Sequence, residues 1–139
     1  MTRTATRRRV INFLAGLFAL LLTEVGRHVY RPFIYARDIY DFHIADTMGN
    51  SVGTTTTIFV MLAVFGRDQK FDDGIVLSCT VGVVLYELGQ PLMGNPIDPW
   101  DVLATVVAGA LTWVLCRKLH GTGYGATDRG IDPVSGRAK

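Results

Sequence analysis

Histidine and cysteine are scarce in this chain of 139 residues, with 3 and 2 respectively. No His-rich ligand set can be built from so few, and no activated nucleophile stands beside a base. A glycine-rich loop able to cradle phosphate is also missing. Together these absences place enzyme classes low, and no cofactor is expected. Cys79 and Cys116 both fall toward one side of the apolar runs described below, where reducing, apolar surroundings disfavour a disulfide. They read as small packing residues. The basic residues do not gather on one soluble face, so nucleic acid is excluded as a partner. No apolar run is visibly broken at mid-depth, which leaves transport without support.

What the sequence does have is apolar length. It is 49% hydrophobic with a mean hydropathy of +0.28, and charge is nearly absent from residues 10–30, 44–65, 74–93 and 100–116. A helix needs about 20 residues to cross a hydrocarbon core. Without water to satisfy backbone groups, helices are the reading for runs of this kind, since barrel strands would be shorter and alternating. The fold class expected is an all-α integral membrane bundle of four transmembrane helices. The first run carries Glu24, Arg27 and His28 in its last two turns, and the fourth is short.

The net charge of +2 conceals an asymmetry. With the N-terminus placed in the cytoplasm, Arg3, Arg7 to Arg9, Arg67, Lys70, Arg117, Lys118 and the basic residues after them fall inside. Only Arg27, Arg31 and Arg37 fall outside. The positive-inside rule then gives a multi-pass protein of the cell (inner) membrane with both termini cytoplasmic. An Arg-rich start before an apolar run also resembles a signal peptide. However, no small-x-small cleavage site follows Leu22, and Glu24 and Arg27 come next, so the first span is read as uncleaved.

Along the chain, residues 1–9 read as a basic cytoplasmic arm, 10–118 as the four-helix transmembrane domain and 119–139 as a Gly-rich, polar, disordered cytoplasmic tail. Residues 31–43 form the longest external loop, with Tyr30, Phe33, Tyr35, Tyr40 and Phe42 as an interfacial aromatic belt. Residues 66–73 form a cytoplasmic turn. Gly49-xxx-Gly53, Ser78-xxx-Gly82, Ala104-xxx-Ala108 and Thr105-xxx-Gly109 offer small-residue faces on which helices can approach closely. The threonines from Thr54 to Thr57 are expected to bond back to their own helix carbonyls.

Carboxylates inside apolar helix cost a few kcal/mol on insertion scales, so they usually have a partner or a task. Glu24 and Glu87 lie roughly 21 and 20 Å along their helices at 1.5 Å per residue, at matching levels in the outer third of the membrane. Asp46 and Asp101 open the second and fourth spans at about that level, with His43 and Asp98 at the rim. Arg27 aligns with Gln90, and Asn50 follows Asp46 by one turn. A parallel repeat of two helix hairpins, sharing one outward-facing acidic pocket, would account for this pattern. Each residue also has a structural reading. Asp98-Pro99-Trp100-Asp101 is a good helix start, with Asp98 as cap and Asp101 beside the helix dipole, and capping is preferred for Asp98. Glu24 can pair with Arg27 on one helix face. Glu87 has only Gln90 on its own helix, so another helix, a cation or a proton must supply its partner.

The run Glu87-Leu88-Gly89-Gln90, followed by Asp98-Pro99-Trp100-Asp101 and a helix containing Thr105 and Gly109, resembles the VanZ-like membrane proteins. Their second half carries Glu-x-x-Gln, a short external loop and Asp-x-x-Asp opening a Gly-containing helix. Asp46, Asn50 and Gly53 are similar to the same family's Asp-xxx-Asn-xx-Gly pattern. The chain departs at Thr105, where Asn is usual, and lacks the family's Asp-Lys-x-x-His stretch. The resemblance implies a role of the glycopeptide-resistance type in the cell envelope. Taken with the depth and spacing above, the expectation is a pocket made from Glu24, Arg27, His43, Asp46, Asn50, Glu87, Gln90, Asp98 and Asp101 that binds a lipid headgroup, a cell-envelope intermediate or another amphiphile. The alternatives are a small accessory subunit packing on a larger membrane complex, or on copies of itself, through its Gly/Ala faces, and a membrane enzyme whose carboxylates hold a hard divalent cation. Membrane lipids are partners in every case.

Overall fold

A computed structural model describes residues 3–120. Met1, Thr2 and the segment from residue 121 on, which contains most of the expected tail, lie outside the described residues. The elements are α1 (Arg3–Val25), a wide π turn (Gly26–Tyr30), α2 (Arg31–Ala36), α3 (Ile44–Phe65), α4 (Gln69–Gly89), a short 3-10 turn (Gln90–Met93) and α5 (Pro99–His120). Among the described residues every element is helical, and four helical stretches are long and apolar enough to cross a membrane: Ala5–Ala36, Ile44–Phe65, Lys70–Met93 and Pro99–His120. The expected all-α membrane bundle is therefore what the chain forms.

The helix boundaries follow from local chemistry. Asp68 caps α4 by accepting from the Phe71 amide at 3.0 Å. Asp98 accepts from the Trp100 amide at 2.8 Å, with Pro99 beginning α5 where its missing N–H costs nothing. At α3 the Ala45 amide donates to Asp41, which precedes the helix, at 2.7 Å, and Asp46 is the acidic residue of the first turn. Asp38, Phe42 and His43 adopt positive φ, unusual for residues with a Cβ, so segment 37–43 is a tight connection. Two expectations need correction. The loop read over residues 31–43 is helical as far as Ala36, because Arg27, His28 and Arg31 can sit on a helix that has reached the polar interface. The basic stretch read as an arm winds into the first turns of α1 from Arg3.

α3 is the central helix, packed along α1, α5 and α4, while α4 and α5 also pack on each other. The core is Ile58, Phe59, Leu62, Val76 and Cys116, with Ala15, Ile75 and Cys79 against it. The remaining apolar side chains face outward: Phe18, Leu77 and Leu111 are 68%, 65% and 65% exposed. Apolar exposure on this scale suits hydrocarbon rather than water. Close helix approach occurs at Gly16, whose added Cβ would stand 3.2 Å from the Val60 side chain, and at Gly109, where it would run into Thr80. Gly49, Gly53 and Gly82 have open space instead, so the expected faces at 49–53 and 78–82 are not interfaces within the chain. Thr54 to Thr57 each donate to the carbonyl four residues earlier, at 2.6–3.2 Å, as expected. Thr55 also meets Thr112 at 3.0 Å, tying α3 to α5.

At the end where α1 begins and α3 gives way to α4, polar groups are closely paired. Arg8 pairs with Asp72 at 2.5 Å and donates to the Arg67 carbonyl at 3.0 Å. Asp72 also accepts from the Arg67 amide at 3.0 Å. Asn12 meets His120 in a buried 2.7 Å hydrogen bond. Asp73 accepts from the Trp113 indole at 2.7 Å and from Arg117 at 3.0 Å.

Candidate functional site

The opposite end holds a polar cavity of about 350 Å³. α1 and its wide turn contribute Thr23, Gly26 and Arg27, and α2 contributes Arg31. α3 supplies Asp46 and Asn50, while Glu87 and Gln90 come from the end of α4 and Asp98 and Asp101 from the start of α5. Every long helix thus reaches the site. α1 and α4 both lean on α3 without packing extensively on one another, and the cavity lies where they part.

Its deepest charged group is Glu87, only 2% exposed. Gln90, one turn on, donates its amide to Glu87 Oε2, so the Glu-x-x-Gln spacing supplies a local donor. Across the site stands Asp101, with Asp98, Asp46 and Arg31 in electrostatic range and the Asn50 carboxamide facing it. Asp101 Oδ1 is shielded from solvent and has no hydrogen-bond partner among the described residues. One turn deeper on the same helix face, Thr105 is fully buried and its hydroxyl is also unpartnered among the described residues. A buried polar atom left without a partner costs roughly 1–3 kcal/mol. Asp101 and the buried Glu87 form the floor of the cavity; Thr105 lies one turn behind Asp101, outside the lining.

The rim is saturated differently. Asp46 accepts from Tyr35 and Arg31 at 3.4 Å, and His43 Nδ1 lies 3.6 Å away. Arg31 also donates to the Tyr35 hydroxyl at 3.2 Å. Asp46 therefore fastens α2 to the start of α3. Asp98 is engaged in capping α5. Arg27 is the contrasting case: its exposed guanidinium lines the cavity and has no hydrogen-bonding or ion-pair partner among the described residues.

Not all the residues expected in the pocket are brought together. Arg27, Asp46, Asn50, Glu87, Gln90, Asp98 and Asp101 line the cavity, whereas Glu24 and His43 do not. Glu24 is 47% exposed and pairs with His28 at 3.2 Å rather than with Arg27. Facing outward, it has no counterpart relation to the buried Glu87, so the matched-glutamate repeat fails. Thr23 and Gly26 are the buried residues here, and Glu24, next to Thr23 in sequence, is turned away by helical geometry. His43 stacks on Trp100 with ring centroids 5.6 Å apart and faces a separate shallow hollow with Tyr35 and Tyr40. Sequence reasoning missed Thr23 and Arg31. Arg31 falls one turn beyond Arg27, a spacing that could have disclosed it.

No family model, curated protein or solved structure matches the chain. The functional reading therefore rests on the residues themselves.

Chemically, the site offers carboxylate and hydroxyl acceptors in its depth and one open guanidinium at its mouth. Among the described residues no three His, Cys, Asp or Glu side chains converge closely enough to cage a metal ion. The arrangement suits hydrogen-bonded recognition of a polar, partly cationic group.

Proposed function

We propose that this chain is a VanZ-like multi-pass protein of the cell membrane, with both termini in the cytoplasm, whose cavity binds the polar group of an amphiphile at the outer leaflet. The observation that carries this reading is the floor of the cavity: Asp101 Oδ1, shielded and without a hydrogen-bond partner among the described residues, beside the buried Glu87. A purely structural cluster would be expected to pair such a group. Four converging helices supply the walls, and the surrounding apolar surface keeps the site at membrane level. Binding rather than catalysis is favoured, because among the described residues no nucleophile with an adjacent base and no convergent metal-ligand set accompanies the acids.

Purification with native lipid, followed by mass spectrometry of what remains bound, tests this directly. The wild-type protein should retain an amphiphile that Glu87→Gln and Asp101→Asn lose while remaining folded. Full retention in both variants would remove the pocket reading. Retention of a larger protein instead would favour an accessory subunit, a second reading supported by the uncovered small-residue face at Gly49 and Gly53. Orientation is tested on a background lacking Cys79 and Cys116. Single cysteines at Arg37 or Asn95 should label from outside, and one at Lys70 should not.

A further inference from the structure

The cavity is two-signed. Arg27 stands exposed at the mouth, Asp46 and Asp98 at the rim are already engaged, and Glu87 and Asp101 lie at the floor. Resting on the headgroup-binding reading above, we propose that the ligand is a zwitterionic phosphoethanolamine headgroup of a membrane lipid, its primary ammonium on the floor and its phosphate on Arg27.

Each half of the ligand follows from what the protein leaves unpaired. The floor has acceptors in excess: Asp101 Oδ1, unpartnered among the described residues, and the carboxylate of Glu87, which among them receives a hydrogen bond from Gln90 alone. A primary ammonium carries three N–H donors and no acceptor, which suits these oxygens. A divalent cation fits less well, since it needs several oxygens converging at 2.3–2.6 Å, and among the described residues no three His, Cys, Asp or Glu side chains converge on one point. A trimethylated ammonium fits less well again. It has no N–H to give and is normally held by an aromatic cage, whereas Tyr86 is the one aromatic ring lining the cavity. At the mouth, the planar Arg27 guanidinium can take two phosphate oxygens at once. Arg31 is unsuited to that role because Asp46 and Tyr35 hold it.

The lipid source follows from the walls. α1 and α4 do not pack extensively on one another, and the sequence neighbours of the lining residues Gly26, Arg27, Tyr86 and Glu87 are apolar and exposed: Val25, Val29, Leu85 and Leu88, at 53%, 63%, 62% and 48%. A headgroup can enter sideways between the two helices while its acyl chains stay in hydrocarbon. Soluble phosphoethanolamine would gain nothing from that flank.

The test uses the full chain in a detergent free of phospholipid, titrated with dihexanoyl phosphatidylethanolamine and monitored by thermal unfolding and tryptophan fluorescence. Binding should be about tenfold weaker, or absent, for the phosphatidylcholine and phosphatidylglycerol analogues. Glu87→Gln, Asp101→Asn and Arg27→Gln should each weaken phosphatidylethanolamine by about tenfold. Arg27→Gln alters an exposed rim residue, so its effect is not obscured by misfolding. Phosphatidylcholine or phosphatidylglycerol binding equally well, and still losing affinity in these variants, would overturn the ethanolamine assignment while leaving a headgroup pocket intact. Binding of soluble glycerophosphoethanolamine as tight as the lipid would overturn the lipid source. Affinities that all three variants leave unchanged would remove the pocket reading as well.

Discussion

The two ends of the bundle use the same kinds of residue to opposite effect. Where α1 begins, Arg8, Asp72 and the Arg67 backbone satisfy one another. Asn12 meets His120 there, and Asp73 receives both Trp113 and Arg117. At the other end Asp46 and Asp98 are similarly engaged, but among the described residues Asp101 Oδ1 and the Thr105 hydroxyl behind it have no hydrogen-bond partner and Arg27 stands open. Buried polar groups that are fully paired stabilise and specify a structure; groups left short of partners are retained at a cost in stability. The contrast therefore separates a fastening from a receptacle, although acid and base are mixed at both ends.

Substitution can break this comparison, most severely at the fastened end. Asp72→Ala leaves Arg8 without its carboxylate and the Arg67 amide without its acceptor. It should cost about 3 kcal/mol, read as unfolding in a denaturing detergent titration. An equally low cost for Asp72→Ala and Glu87→Gln would dissolve the distinction between the ends. Asn12→Ala should cost about 1–2 kcal/mol by stranding His120 in a buried site. Replacing both by leucine should recover most of that, because no polar group is then left unpaired.

Helix packing sharpens the contrast at smaller scale. Gly109→Ala drives a methyl group into Thr80 and should destabilise by about 1–2 kcal/mol. Gly53→Ala, which meets open space, should be neutral or stabilising by up to about 1 kcal/mol. A destabilised Gly53→Ala in the membrane would instead reveal a partner seated on that face. The smallest stability effects belong to the receptacle. Glu87→Gln keeps the shape of the side chain, and Asp98→Asn keeps a good cap. Both should unfold within about 0.5 kcal/mol of wild type, and only Glu87→Gln should lose the bound amphiphile.

The bundle was legible because charge-free runs of this length have one low-energy form in hydrocarbon. Where those runs end was less so: Arg27, His28 and Arg31 look like an exit from helix, yet the helix passes through them to Ala36. Glu87, Gln90, Asp98 and Asp101 could be grouped from spacing, since a short connection returns α5 beside α4. Glu24 was misplaced because position along the chain gives depth but not the direction a side chain faces. Thr105 was hidden for a related reason: a threonine in an apolar run reads as a back-bonded packing residue, and only tertiary structure shows its hydroxyl unpartnered. Asn12 and His120 lie 108 positions apart, a separation across which local patterning carries no signal. The small-residue motifs mark where close approach is affordable, without deciding that Gly109 is used and Gly53 is not.

The wide turn at Gly26–Tyr30 has a consequence for how the mouth of the cavity can change. There the Arg31 amide bonds back to the Gly26 carbonyl, five residues earlier, so the segment holds one residue more than regular winding would. Excising Val29 would let the backbone close into uninterrupted α-helix while removing neither guanidinium. Because the wide turn already absorbs the surplus residue, the helix beyond would keep its present direction and Arg31 would stay on Asp46, whereas the same deletion from a regular turn would swing everything beyond by about 100° around the axis. The wide turn is thus a register correction: it carries one extra residue without re-aiming the positive edge of the site.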